Sequence, residues 1–230
     1  MAEALGMALS GNAAIPAVDS RRRMIAQLSG RRIVQMVKDD LKPSDIMTRA
    51  AFLNAIKINS AIGGSSNAQP HIMAMAAHAG VPLETEVWQA HGYDLPLLVN
   101  MQPAGQYLGE RFHRAGGVPA AMWELLQAGK LHGDSLTATG RTMAENLAGR
   151  ESRDREMIRP FADPLKEKAG FLVLSGNLFD FAILKTSVIS EEFRQRYLSR
   201  PGAEGIFEAR AVVFDGSDDY HHRINDPALG

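Results

Sequence analysis

Three small polar side chains in the first half of the sequence could together bind an anion. They follow Gly63-Gly64 directly and precede an apolar stretch with helical spacing; they are Ser65, Ser66 and Asn67. Each of these residue types can cap a helix, and the free backbone N–H groups at a helix start attract negative charge. These groups could therefore line a substrate site for a carboxylate or a phosphate. The alternative is a well-capped helix pair without a ligand, and the local pattern taken alone favours that alternative.

Two further groups of polar residues could carry chemistry. One combines carboxylates with imidazoles, which are plausible ligands for a metal such as zinc: Asp218, Asp219, His221 and His222. Adjacent positions on one helix or strand point apart, so a solvated polar helix explains this group better. The other is the pair of His71 and His78, which share one helix face. It is either a binding surface or, as we favour, a half-buried polar edge.

Lys185 ends an apolar stretch, where a buried ammonium could act as an acid or clamp an anion. A lysine at a strand end more often reaches solvent. No hydrolase triad, phosphate loop or dinucleotide fingerprint is present, because Gly63-Gly64 and Gly116-Gly117 lack the required spacing. The residue patterns therefore identify no catalytic, cofactor-binding or metal-binding residue in this chain.

The composition limits the classes of function. The 230 residues include no cysteine, which excludes disulfides, thiolate nucleophiles and cysteine ligands for zinc or iron–sulfur clusters. A net charge of −1 gives no field that would attract nucleic acid. No run of 18 apolar residues and no secretory signal pattern occurs, so we expect no membrane association and a cytoplasmic location.

The elements that must position these residues alternate between helix and strand. In the first part Thr48 is a predicted N-cap, Asp19 or Ser20 caps an earlier helix, and residues 95–99 form a short buried strand of the parallel type. The helix after Ser20 is expected to face a core through Ile25, Leu28, Ile33, Met36, Val37 and Leu41. Predicted helices cover residues 1–9, 54–62, 84–90, 106–115 and 119–129, with another that starts after Asn67.

The pattern of predicted elements changes after a charged, proline-containing connection at residues 150–168. Beyond it the sequence predicts strands at 171–174, 181–184 and 206–214, and helices at 191–198 and 218–224. We expect an α/β protein with two domains, residues 1–157 and 158–230. Three strands cannot close a barrel, and the first helix begins abruptly, so both domains are expected to be incomplete.

Long ordered segments resemble the dihydroxy-acid and sugar-acid dehydratase family. These segments are NAIKINSAIGGSSNAQPHIMAMAAHAGV, AEALGMALSGNAAIPA, LVNMQPAGQYLGERFHRAGGVPAAMWELLQAGKL, LTATGRTMAENL and LSGNLFDFAILKTSV, in the family's order. Ser66 departs from the family pattern, which usually has Thr there, but the hydroxyl is kept. The segments after residue 176 look more like the dehydratases of aldonic acids, such as arabonate or xylonate, than like the enzyme of branched-chain amino-acid synthesis.

The resemblance implies a hydro-lyase that converts a 2,3-dihydroxy carboxylate into a 2-keto-3-deoxy acid. It also implies an α/β/α N-terminal domain, the start of a β-barrel-like C-terminal domain and a homo-oligomer, either a dimer or a tetramer. In the family an iron–sulfur cluster and Mg²⁺ take part and a serine removes the C2 proton. Physically, metal coordination would stabilise the charge that develops on a departing hydroxide.

The family's functional residues do not carry over to this chain. Its cluster cysteines, its cysteine–aspartate–lysine motif and its serine-bearing segment have no counterpart within the 230 residues. We therefore expect an internal piece of a sugar-acid dehydratase that is inactive alone. Two alternatives are a dihydroxy-acid dehydratase of branched-chain amino-acid synthesis and a non-catalytic binding or assembly partner of a full-length dehydratase subunit.

Overall fold

Helices predominate in residues 1–229, the part of the chain that the computed structural model describes. The first of two units runs from Met1 to Val188, and the second begins at Ile189. The first unit contains α1 (Arg21–Lys38), α2 (Pro43–Ile46), α3 (Arg49–Ala61), α4 (Ala68–His78), α5 (Val87–Gly92), α6 (Gly109–Ala115), α7 (Gly117–Gln127) and α8 (Met143–Leu147). Strands β1 (Phe171–Leu174) and β2 (Ala182–Lys185) and a 3₁₀ turn, Thr186–Val188, complete it.

Helix α3 is the centre of the core, as the sequence predicts for residues 54–62. It packs against α4, α5 and α7, and almost its whole length is buried. The helix begins at Arg49, directly after the predicted cap, and the Thr48 hydroxyl accepts a hydrogen bond from the N–H of Ala51 (3.4 Å). The position of Thr48 as N-cap is thus confirmed, and the helix carries the glycine turn at its C-terminal end.

Strands β1 and β2 confirm the predicted strands at 171–174 and 181–184. They pair antiparallel, with Phe171 opposite Lys185 and Leu174 opposite Ala182. Phe171 is buried against Trp88 of α5, with ring centroids 5.6 Å apart and the rings edge to face. This contact fixes the Phe171 end of the hairpin on the helical core, and the register places Lys185 at the same end.

The predicted parallel strand at 95–99 is wrong. The segment is buried, but it makes isolated antiparallel bridges, between Leu97 and Lys166 and between Val99 and Ile158. The N–H of Leu98 donates to the carbonyl of Ala61 at the end of α3 (2.8 Å). An apolar run predicts that a segment is buried, but it does not predict which residues form hydrogen bonds with its backbone. Here those partners lie in the charged connection after residue 150.

The helix predicted over residues 1–9 is also wrong, because this segment forms successive turns. Gly6 adopts a φ of +81°, and a Cβ there would lie 3.0 Å from the carbonyl oxygen of Leu136. The buried carboxylate of Glu3 accepts the N–H groups of Gly11 and Ala13. The segment therefore folds back on itself around Glu3 instead of continuing as a helix.

Helix α1 forms where predicted, after Ser20, but its predicted core face is wrong. Only Met36 of this helix is buried, and Ile33 and Val37 are 55% and 76% exposed. Helical spacing predicts an apolar face correctly, but it does not determine whether a partner covers that face.

Several boundaries shift by a few residues. The helices predicted at 84–90, 106–115 and 119–129 are observed as α5, α6 and α7. Gly129, with a φ of +67°, lies just after α7, as expected of a C-terminal stop. The predicted helix after Asn67 is α4, with Pro70 in its first turn.

The second unit contains two of the predicted helices. One is α9 (Glu191–Phe193), continued by a π-helix, Arg194–Leu198, and the other is α10 (Gly216–Arg223); a 3₁₀ turn, Pro227–Leu229, follows. The strand predicted at 206–214 is wrong, because this segment has no strand pairing. Phe207 instead contacts the rings of Phe193 and Tyr197, with centroids 5.4 Å and 5.5 Å away.

The described residues thus form a mixed α/β structure, and within residues 1–229 the one sheet has two strands and is not a barrel. No helix in this range is long and apolar enough to cross a membrane.

Candidate functional site

The turn between α3 and α4 is held in one shape by Asn59. The N–H of Gly64 donates to the Asn59 carbonyl (2.8 Å), and the Asn59 side-chain amide donates to the carbonyl of Ser65 (3.1 Å). Asn59 is buried, so these bonds are shielded from water. Asn59, in the last turn of α3, therefore also fixes the start of the next segment. We call residues 63–67 the glycine turn.

Both glycines of this turn are required by close packing. A Cβ on Gly63 would lie 2.8 Å from the Cβ of Ala104 and 2.9 Å from Cδ1 of Leu97, and φ at Gly63 is +62°. A Cβ on Gly64 would lie 2.0 Å from Oδ1 of Asn59. The glycine turn therefore lies directly on the buried segment that contains Leu97.

The structure brings Ser65, Ser66 and Asn67 together at the start of α4, as the sequence predicts. Asn67 is the N-cap residue, but its side chain makes no cap bond, and the Ser65 hydroxyl instead accepts the N–H of Asn67 (3.2 Å). Ser65 and Asn67 are exposed and Ser66 is half-buried. All three side chains are accessible at a helix start, which is the geometry that an anion site requires.

Lys185 reaches the glycine turn from the end of β2. Its ammonium donates to the carbonyl oxygen of Gly63 (2.7 Å), and the side chain is half-buried. Burial lowers the pKa of Lys185 below its ordinary value. The sequence singled out this lysine as a possible anion clamp, and the structure places it beside the predicted substrate residues.

Sequence reasoning missed two residues of this neighbourhood, Lys166 and Ser187. The ammonium of Lys166 donates to the carbonyl of Ser187 (2.9 Å), and Ser187 is fully buried. A signal was present in the sequence, because the polar residues Lys185-Thr186-Ser187 directly follow an apolar strand. Polar side chains at the end of a buried strand indicate hydrogen bonds to other parts of the fold.

The other candidate residues do not form sites. Asp219 pairs with Arg223 one turn later on α10 (2.7 Å), as on a solvated helix face. His71 and His78 are both exposed on α4. Within residues 1–229, no three or more His, Asp or Glu side chains come together as metal ligands.

The chain's residues do not fit the cofactors that the resemblance implies. An iron–sulfur cluster is normally held by thiolates, and the sequence has no cysteine. Mg²⁺ is usually held by carboxylates, and the carboxylates of residues 1–229 form no such group. The described residues therefore supply the ligands for neither group.

Family models cover nearly the whole chain. Residues 1–146 match the family described as dihydroxy-acid/6-phosphogluconate dehydratase N-terminal, and residues 156–229 match its C-terminal counterpart. The chain belongs to this dehydratase family. The glycine turn and α4 lie within the N-terminal match, whereas β1, β2 and Lys185 lie within the C-terminal match. The candidate site therefore combines residues from both family segments.

Individual relatives give a finer picture. The chain is 68% identical over 229 residues to a D-xylonate dehydratase of Caulobacter vibrioides. The aligned region covers 100% of this chain and 38% of the relative. It is 49% identical to an L-arabinonate dehydratase of Rhizobium leguminosarum, over 99% of the chain and 38% of the relative. It is 38% identical to a dihydroxy-acid dehydratase of Syntrophobacter fumaroxidans, over 94% of the chain and 39% of the relative. The chain thus spans about two fifths of the length of these relatives.

Proposed function

We propose that this chain contributes to a hydro-lyase that dehydrates an aldonic acid to a 2-keto-3-deoxy acid. The observation that carries the proposal is the 68% identity to a D-xylonate dehydratase over the whole chain. Identity falls to 38% for a dihydroxy-acid dehydratase, which favours a sugar acid over the branched-chain alternative. The preferred substrate class is therefore a pentonate.

The reaction removes water from carbons 2 and 3 of the acid. The C2–H bond and the C3–O bond break, and the resulting enol gains a proton at C3 as it becomes the 2-keto acid. The iron–sulfur cluster expected of the whole enzyme would supply Lewis acidity at the departing C3 hydroxyl, and Mg²⁺ would help to hold the carboxylate and the C2 hydroxyl. The role left to this chain is to bind and orient the substrate, and we assign that role to Ser65, Ser66 and Asn67.

Their position supports the assignment. The three side chains are accessible at the start of α4, where the helix dipole favours a negative charge. A carboxylate that is held rigidly fixes where C2 and C3 lie relative to the rest of an active site. Because this chain lacks ligands for either cofactor, we expect it to have no turnover alone.

The finer architecture belongs to the same proposal. We place residues 1–157 in an α/β/α domain and residues 158–230 at the start of a β-barrel-like domain. The complete enzyme is proposed to be a cytoplasmic homo-oligomer, a dimer or a tetramer, that acts on a small-molecule sugar acid.

The test is a grafted enzyme, in which this chain replaces the matching 229 residues of the Caulobacter vibrioides D-xylonate dehydratase. We expect the grafted enzyme to convert D-xylonate and L-arabonate into 2-keto-3-deoxy acids, with little activity on 2,3-dihydroxy-3-methylbutanoate. The parent dehydratase is the control for assembly. A grafted enzyme that assembles like the parent but prefers the branched-chain acid, or is inactive on all three, would overturn the proposal.

A further inference from the structure

Helix α1 carries an apolar stripe that no residue in the range 1–229 covers. Met36 holds the helix from its other side, where it packs with Ile46 and Ala138. The stripe consists of four exposed residues at helical spacing, Ala26, Gly30, Ile33 and Val37. Its two large side chains are each more than half exposed. We call these four residues the α1 stripe. Contiguous exposed apolar surface of this kind is typical of an interaction site.

The α1 stripe has small residues in its first half and large residues in its second half. A Cβ on Gly30 would meet no atom within 4 Å, so packing within this chain does not require a glycine there. A glycine in mid-helix weakens the helix relative to alanine. When two α1 helices pack antiparallel, Gly30 of one copy lies opposite Ile33 of the other. Ala26 then lies opposite Val37, so each large side chain meets a small residue and the helices can approach closely.

The same register also brings opposite charges together. Arg23 is exposed one turn before Ala26 and forms no ion pair within residues 1–229. Asp40 follows the other end of the helix; its carboxylate contacts Lys42 (2.9 Å), but its side chain is 81% exposed. Antiparallel packing places Arg23 of one copy opposite Asp40 of the other, twice by symmetry. A parallel pair would instead bring the two arginine-rich N-terminal ends together, where like charges and the helix dipoles oppose it.

We propose that the α1 stripe binds the α1 stripe of a second copy of this chain, antiparallel about a two-fold axis between Gly30 and Ile33. The helix has only 18 residues, so the pair buries less surface than a standard interface, and we expect a dissociation constant in the micromolar range. That this pair is one contact of the complete homo-oligomer rests on the proposed function, whereas the helix pair itself does not.

The test is analytical ultracentrifugation of the full 230-residue chain over a range of concentrations. We expect a reversible change from monomer to dimer. A chain that stays monomeric up to about 1 mM would overturn the proposal.

Ile33→Ser and the matched control Leu28→Ser locate the contact. Leu28 is an exposed apolar residue on another side of the same helix, so both substitutions remove a similar apolar area without opening the core. Ile33→Ser should weaken dimerisation about tenfold or more, because the dimer loses this side chain twice, and Leu28→Ser should leave it unchanged. Equal effects of the two substitutions would show that the contact lies elsewhere.

Gly30→Leu tests close packing through the sign of its effect. Leucine favours helix more than glycine does, and the position is open within the chain, so the thermal stability of the monomer should not fall. The added side chain blocks the approach of Ile33 from the second copy, and dimerisation should weaken about tenfold or more. A non-specific apolar contact would be strengthened by the added area, so unchanged or tighter dimerisation contradicts the proposal.

Arg23→Glu tests the register. It places a carboxylate opposite Asp40 in the second copy, and dimerisation should weaken severalfold at low salt. The matched control is Arg31→Glu, because Arg31 is also exposed and changes the net charge equally, but it lies away from the α1 stripe. Equal dissociation constants for the two variants rule out the antiparallel register.

The absence of native cysteine allows a direct test of orientation. Under mild oxidation the double variant Ala26→Cys and Val37→Cys should form a reducible covalent dimer. Ala26→Cys alone should not, because the two copies of this position lie about 16 Å apart along an antiparallel pair. Cross-linking of the single variant, or none of the double variant, overturns the proposal.

The interface and the proposed function can fail separately. If the grafted enzyme dehydrates D-xylonate while the chain does not pair through α1, the interface is wrong and the function stands. If the chain pairs through α1 but the grafted enzyme is inactive, the reverse holds.

Discussion

The ammonium of Lys185 donates a hydrogen bond to the carbonyl oxygen of Gly63 at 2.7 Å, across 122 positions of the sequence. This contact joins the end of β2 to the turn that starts α4. It brings a positive charge to the turn that precedes Ser65, Ser66 and Asn67, which the sequence predicts to line a substrate site.

Gly63→Ala is expected to lower the free energy of unfolding by more than the strain of a left-handed backbone conformation alone. The left-handed φ of +62° costs about 1–2 kcal/mol for a residue with a Cβ, and the clash with Ala104 and Leu97 adds about 1–3 kcal/mol. The matched control is Gly80→Ala, because Gly80 has a φ of +69° but open space around its Cβ position. Urea unfolding of both variants measures the difference, and equal losses would refute the close-packing account.

Phe171→Ala should cost about 3–5 kcal/mol of unfolding free energy, as is usual for a large core aromatic. The ring is fully buried against Trp88, so its loss also opens a cavity beside the indole. We expect a shift in the fluorescence of Trp88 together with a lower urea midpoint. Phe179→Ala, at a position 65% exposed, should change the stability by less than about 0.5 kcal/mol. Similar effects of the two substitutions would contradict the hairpin contact.

Asn54→Ala tests a polar pair in the core. The Asn54 amide donates to the carbonyl of His132 (3.0 Å) and accepts the N–H of the same residue (2.8 Å). Loss of this side chain leaves two backbone groups without partners, each at a cost of about 1–3 kcal/mol. Thermal unfolding measures the loss, with the exposed Asn177→Ala as the control. A loss no larger than the control's would show that water replaces the amide.

Glu3 predicts a pH dependence of stability. Burial raises the pKa of its carboxyl above the ordinary value of 4.5, despite the bonds from Ala13 and Gly11. Below pH 4.5 both the folded and the unfolded chain hold the proton; above it the unfolded chain releases the proton first, which favours unfolding. The free energy of unfolding should therefore fall, relative to Glu3→Gln, as the pH rises above 4.5 through the raised pKa.

Urea titrations across this pH range check the prediction for Glu3. The exposed Glu84→Gln provides the matched control for loss of one carboxylate. The prediction is contradicted if the difference in free energy of unfolding between the native chain and Glu3→Gln stays constant as the pH rises, or if it changes in favour of the native chain.

Local signals predicted much of this structure. The glycine pair, the small polar residues and the apolar spacing correctly predicted α3, the turn and the start of α4, because caps and left-handed turns act within a few residues. The two apolar runs around Ser175 predicted the β1–β2 hairpin for the same reason. The placement of Ser65, Ser66 and Asn67 at a helix start followed from these local rules.

Contacts between residues far apart in the sequence could not be predicted from such local signals. The segment at 95–99 was recognisably buried, but its backbone partners lie about sixty residues later along the chain. The exposed apolar face of α1 and the turns around Glu3 depend on which other residues happen to be close. The polar residues after β2 gave a local signal at Ser187, but its contact with Lys166, 21 residues earlier, arises only from the fold.

The most direct test of the account is the Michaelis constant for D-xylonate in the grafted enzyme, with and without the double substitution Ser66→Ala and Asn67→Ala. If these side chains bind the sugar acid, the substitution should raise KM about tenfold, whereas the exposed Asn177→Ala should leave it unchanged. A grafted enzyme whose KM is the same with and without the Ser66 and Asn67 side chains would contradict the account.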